Sequence, residues 1–216
     1  MYRSGHKYDD MAELVGQLYV DYNIRVFPID EKDVCRRLGV RLVPYGEYPE
    51  GKRELLKKKS LSGFYVPPTA DTPPMIFYNE NIGEVGSAGN MRRNIFHEVL
   101  HYLREDTDEN PEDDDLADYF GKYFLAPISY LIAMRIENPN QIMSEFGVDY
   151  EMASFITKNI RNRKRRYKNS IFEYEKPLLR HLLGEQYEAV IDSLEMVDAV
   201  EDVLDRVVGL PFQVES

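Results

Sequence analysis

Five consecutive residues, His97-Glu98-Val99-Leu100-His101, have the types and spacing that metal-assisted hydrolysis requires. On an α-helix, positions i and i+4 lie one above the other, so both imidazoles can reach a single ion while Glu98, one step on, points toward the ion's open position. Two neutral imidazoles and one carboxylate bind Zn²⁺ and leave a fourth site for water, whose proton a nearby carboxylate takes and passes to the leaving amine. Glu98 is the candidate for that general base, with His97 and His101 as ligands and Zn²⁺ as cofactor. The same donors would also accept Mn, Fe or Co.

A hydrolytic site of this kind needs a third protein ligand. The run Asp114-Asp115-Leu116-Ala117-Asp118 places one acid at i and another at i+4 of a following helix. One can then bind the metal while the other hydrogen-bonds a ligand histidine from behind. Asp114 is assigned as the ligand and Asp118 as the acid that orients a histidine.

The elements that must hold these residues follow from hydrophobic pattern. Ile95, Phe96, Val99, Leu100, Tyr102 and Leu103 surround the trio with apolar surface, which predicts a buried helix over residues 91–104. Upstream, Met11, Leu14, Val15, Leu18, Tyr19 and Tyr22 make one helical face. Asp30 reads as the N-cap of a short helix bearing Val34 and Leu38, ended by Gly39 in a left-handed conformation. Alternation at Val40, Leu42 and Pro44 and the short runs 63–66 and 75–78 predict strands, with residues 45–60 as a solvated loop carrying Lys57-Lys58-Lys59. Helices are expected at 113–125, 128–136, 139–146 and 149–167, with one or two more after 175. Strands first and helices afterwards define an α+β class: a small N-terminal sheet packed on the helix of the histidine motif, followed by an all-helical C-terminal part.

Composition narrows the function classes. Lys and Arg total 27 against 38 Asp and Glu, a net charge of −11, which disfavours binding to nucleic acid or anionic membrane except through a local patch. Such a patch exists: residues 158–168 hold seven cations and no acid, whereas residues 105–115 hold eight acids and no cation. The basic run follows a helix, a turn at Gly147-Val148-Asp149 and a second helix, a helix-turn-helix-like spacing. For an acidic protein without a second basic region, DNA contact is not expected; protein docking or an internal partner among the acidic stretches suits the run better. The single cysteine, Cys35, excludes an internal disulfide and reads as a buried thiol in a reducing compartment. No apolar stretch is long enough for a membrane span and no export signal is evident, so a cytoplasmic location is expected.

The run from Arg92 to Leu103, together with Ala117-Asp118-Tyr119-Phe120-Gly121 and Phe124-Leu125-Ala126-Pro127, resembles the ImmA/IrrE family of zinc metallopeptidases. That family shows an H-E-L-G-H-like helix, then an E-x-x-A-[ND]-x-F-A run ending in L-L-M-P. The resemblance covers roughly residues 8–167. It implies a gluzincin-like fold and cleavage of a helix-turn-helix transcriptional repressor in mobile-element or stress regulation. By position, His97 and His101 match the ligand histidines, Glu98 the base, Asp114 the third ligand and Asp118 the Asn/Asp of the second motif. The expected organisation is a zincin-like metallopeptidase domain at 1–130, a helix-turn-helix-like extension with a basic end at 131–168, and an acidic helical tail at 169–216 that lies beyond the resemblance.

This chain departs from the family pattern at three places. The usual Glu ligand is Asp114, one methylene shorter, so either the helix sits closer to the metal or Asp113 or Asp115 binds instead. The Gly of the first motif is Leu100, and the Ala after the second-motif Phe is Gly121. These departures motivate an alternative function, a non-hydrolytic zinc-containing anti-repressor or a DNA- or protein-binding module. Enzymes of the gluzincin kind also bind substrate as an added strand on a sheet edge beside the active helix. Residues 75–78 are the candidate edge, with Tyr78 as a substrate contact. Tyr102, Tyr119 and Tyr123 are the candidates for stabilising an oxyanion.

Overall fold

The computed structural model describes residues 4–105 and 111–208 of the 216-residue chain. The first apolar stripe forms α1 (Ser4–Asp21) and the next forms α2 (Glu31–Arg37), whose N-cap Asp30 accepts hydrogen bonds from the Lys32 and Asp33 amides. Gly39 follows with φ +77, the left-handed conformation that lets the chain turn into β1 (Arg41–Pro44). Strands β2 (Gly63–Val66) and β3 (Met75–Tyr78) complete a three-stranded sheet in the order β1-β3-β2, with β1 parallel and β2 antiparallel to β3.

The expected loop at 45–60 is instead a 3₁₀ turn at Tyr45–Glu47 followed by α3 (Glu50–Lys59). This helix buries none of its residues, so it has no apolar stripe to read. Charge holds it: Glu50 lies in the first turn and Lys57, Lys58 and Lys59 in the last, each sign at the end of the helix dipole that favours it. Lys57 also pairs with Glu84, at 2.9 Å, on the short helix α4 (Ile82–Val85).

The helices that follow are α5 (Ala88–Arg104), α6 (Pro111–Leu125), α7 (Ile128–Ala133), α8 (Pro139–Phe146), α9 (Tyr150–Tyr167), α10 (Lys176–Leu183) and α11 (Tyr187–Val208). The class is therefore α+β, a small sheet with a helical C-terminal part, as the pattern predicts. One hydrophobic core joins α1, β3, α5, α6, α8 and α9 through residues such as Val15, Ile76, Phe96, Phe124, Phe146 and Ile156. Cys35 lies in it, and burial pushes its thiol up to about 12. The tail helices add a smaller cluster of Leu179, Leu183, Tyr187 and Leu194 against Ala133. No helix among the described residues is long and apolar enough to cross a membrane.

The turn between α8 and α9 is clamped by α5. Arg92, 8% exposed, donates to the carbonyls of Phe146, Gly147 and Ile29 and pairs with Glu31. Ser87 donates to Asp149, the N-cap of α9, at 2.6 Å. A Cβ on Gly89 would fall 2.4 Å from the Asp149 nitrogen, so this close approach depends on glycine. The start of the second helix, which would enter a DNA groove in a helix-turn-helix protein, thus lies against α5.

Candidate metal centre

Helix α5 is launched by Ser87, whose hydroxyl caps the Asn90 amide at 2.9 Å, and ends on Glu105 in a left-handed conformation. Its inner face inserts Ile95, Phe96, Val99 and Leu100 into the core, which leaves His97 and His101 on a half-buried flank toward α6. Helix α6 is drawn close by Phe96 stacking on Phe124, with ring centroids 4.4 Å apart, and by Gly121. A Cβ at position 121 would lie 2.8 Å from the Arg93 carbonyl oxygen and 3.3 Å from the His97 nitrogen. Gly121 therefore sets the spacing of the two helices at the level of His97.

Across that contact three donors converge. His97 Nε2 and His101 Nε2 are 3.1 Å apart, and Asp114 Oδ1 lies 3.8 Å from the first and 3.7 Å from the second. A triangle with those sides has its centre about 2.1 Å from each corner, the length of a zinc–nitrogen or zinc–oxygen bond. These three donors could therefore hold one metal ion, with the aspartate at 114 reaching it from α6. Asp115 is exposed and takes no part in the group, and the side chain of Asp113 lies outside the described residues.

Asp118, one turn beyond Asp114, accepts from His97 Nδ1 at 3.2 Å. That bond directs the lone pair of Nε2 toward the donor triangle and fixes the ring. Asp118 is itself bracketed by Arg93 at 3.9 Å and Lys122 at 3.7 Å. The hydrogen bond to His97 holds its carboxyl below the usual aspartate value against the opposing effect of burial, and the two cations help. Arg93 and Lys122 were not singled out from sequence; each sits four residues from a site residue, a spacing that could have signalled them.

Glu98 lies between these donors and the sheet, within electrostatic reach of His97, His101 and Asp114. Its Oε2 accepts the Tyr65 backbone N–H at 2.8 Å. Burial raises its pKa, while the two histidines and the Tyr65 amide partly oppose the rise. A carboxylate tuned upward in this way is a better proton acceptor at neutral pH than an ordinary surface glutamate.

No family model, curated protein or solved structure matches this chain. The geometry of the site corrects two sequence expectations. Strand β3 is the central strand, with β1 and β2 on either side, and Tyr78 is 7% exposed. Neither can be the free edge or its substrate contact. The edge beside α5 is β2, whose Tyr65 amide points away from β3 to Glu98; the hydrophobic run 75–78 reads as a strand but carries no mark of its rank in the sheet.

The tyrosines named as oxyanion candidates turn elsewhere. Tyr102 donates to the Leu38 carbonyl, Tyr123 contacts Ser129 and Glu175 in the interior, and Tyr119 faces a cavity beside α1. In the basic run, Arg163 pairs with Glu175 of the acidic tail and Lys164 with Glu137.

Proposed function

We propose that this chain is a zinc-dependent metallopeptidase of the ImmA/IrrE kind, cytoplasmic, with a helix-turn-helix transcriptional repressor as its substrate. The observation that carries the reading is the triangle of His97, His101 and Asp114 with Glu98 beside it. A bound zinc ion supplies Lewis-acid polarisation of the scissile carbonyl and an acidified water. His97, His101 and Asp114 would hold it, and Asp118 keeps His97 in the binding tautomer. The Tyr65 amide anchors one oxygen of Glu98, so the other is the atom that takes a proton and returns it to the leaving nitrogen. The free edge of β2 runs beside this carboxylate and suits an extended substrate backbone added as a further strand. The repressor as substrate class rests on the resemblance of the two motifs, and the buried Cys35 thiol suits a reducing compartment.

Elemental analysis of wild type, His97→Ala, Asp114→Ala and Glu98→Gln tests the site. About one zinc per chain is expected in wild type and in Glu98→Gln, and none in the other two. Incubated with candidate repressors, Glu98→Gln should cleave about 10²–10⁴-fold more slowly than wild type. Wild type without zinc after reconstitution would remove the metallopeptidase reading. A zinc-loaded Glu98→Gln that cuts at the wild-type rate would remove Glu98 as the base. Repressor held in a stoichiometric complex and left intact for hours would instead favour the non-hydrolytic anti-repressor, a reading in which the exposed, shortened ligand Asp114 weakens the site.

A further inference from the structure

A second concave site lies on another face of α6. Between α1, α6, α9 and the segment before α10 there is a cavity of about 400 Å³, within the range of small-molecule sites. Its floor is the Glu175 carboxylate, 1% exposed and held by both terminal nitrogens of Arg163 at 2.5 and 2.6 Å. The Phe172 amide and the Tyr123 hydroxyl complete its hydrogen bonds. The floor is thus closed on itself and neutral as a pair.

The walls are aromatic: Tyr119, Tyr174 and Phe172, with Arg163 stacked on the Phe172 ring at 4.6 Å. Tyr174 donates to Asp9, the one other acid lining the cavity, at 2.8 Å, so that carboxylate already has a partner. Tyr119 is different. Its neighbours Tyr123 and Tyr174 bond to protein, whereas its own hydroxyl has no protein partner among the described residues.

The wall contributed by α9 repeats that feature. Asn159, Asn162 and Arg166 recur at i, i+3 and i+7, line the cavity together, and make no side-chain hydrogen bond or ion pair among the described residues. Arg163 Nε, on the same face, is buried without a partner. The guanidinium supplies only donors, the two amides and the phenol both donors and acceptors, and this polar wall stands beside the aromatic rings of Tyr119, Phe172 and Tyr174. An occupant that satisfies both needs is a flat ring carrying an acceptor-rich anionic group: the ring lies among Tyr119, Tyr174 and Phe172, and the anion meets Arg166 and the asparagines, away from Asp9.

We propose that this cavity is a binding site for a small aromatic carboxylate. It shares α6 with the metal centre, since Tyr119 directly follows Asp118, but it uses none of the metal-binding residues. The proposal does not depend on the metallopeptidase reading.

The test is saturation-transfer NMR and titration of the full-length protein with 4-hydroxybenzoate, using benzyl alcohol as an uncharged ring of similar size. The chain holds 16 tyrosines and 10 phenylalanines, so binding is assigned to this cavity by its response to substitution of the lining residues. Saturable binding of 4-hydroxybenzoate is expected, with about tenfold weaker binding in Arg166→Ala and near-wild-type binding in Arg166→Lys. Asn162→Ala should weaken it to a smaller degree. Arg166 and Asn162 are exposed, so these variants keep the fold. Absence of saturable binding at millimolar probe overturns the proposal, as does equal affinity of wild type and an Arg166→Ala/Asn162→Ala double variant. Benzyl alcohol binding as tightly as the carboxylate overturns the assigned anionic class.

Discussion

On its two sides, α6 meets carboxylates in different states, its own Asp114 on one and Glu175 of the segment before α10 on the other. Toward α5, Asp114 remains 59% exposed in its side chain, and its oxygen stands 3.7 to 3.8 Å from two imidazole nitrogens, too far for hydrogen bonds but suited to a shared cation. On the cavity side, Glu175 is sealed from water and saturated by Arg163, a backbone amide and Tyr123. A carboxylate whose lone pairs are used up is part of the framework, whereas one held near other donors without bonding them is available to a ligand. Asp118 stands between these cases: partly exposed, yet committed to His97 and two cations.

The largest effect should come from breaking the sealed pair. Arg163→Ala leaves the Glu175 charge buried without its counter-ion and should cost about 3–5 kcal/mol in urea unfolding of the metal-free protein. Replacing both partners, Arg163→Met with Glu175→Leu, should recover most of that loss, because the desolvated charge is gone. Zinc binding should change little in the double variant if the two faces are separate, and a parallel loss of zinc would break the comparison.

Next is the contact that sets the distance between α5 and α6. In Gly121→Ala the new methyl meets the Arg93 carbonyl, a backbone atom that cannot swing aside. Crowding of this kind costs about 1–3 kcal/mol, while alanine's better helix propensity returns about 1 kcal/mol. A net loss of stability by denaturant titration is expected, together with weaker zinc binding, since His97 lies at the same level. Unchanged stability and zinc affinity would mean that the helices can part without disturbing the donors.

The smallest effect on stability belongs to Asp118. Asp118→Asn should reduce zinc affinity about 10–100-fold, measured by chelator competition, by loosening the orientation of His97. Because the folded-state pKa of Asp118 is depressed, its contribution to metal-free stability is present above the ordinary aspartate value and disappears as pH falls through the lower folded value. The variant should therefore show a flatter acid limb of stability against pH. A limb identical to wild type would sever the proposed link between Asp118 and His97.

Legibility from sequence varied with the range of the interactions involved. Helices α8 and α9, expected from sequence, are bounded by local signals: Asn138 and Asp149 cap their first turns and Gly147, at φ +62, closes α8. Helix α3 was not expected, because it buries nothing and is held by end charges and by Lys57 reaching Glu84, 27 residues away. The rank of β3 was equally hidden: alternation distinguishes a strand from a helix, but pairing on both sides is decided by segments elsewhere. The aromatic cavity draws Asp9, Tyr119, Arg166 and Tyr174 from across the chain, and no local pattern joins them.

The amino-acid order alone determined that His97 and His101 share a helix face and that Asp114 and Asp118 share another, since i, i+4 spacing is a property of the helix itself. Only the tertiary structure decided that these two faces meet, that the Tyr65 amide holds Glu98, and that β2 is the edge strand beside α5. Those outcomes depend on the distance between packed elements, which the core contacts of Phe96 on Phe124 and the missing side chain of Gly121 set together.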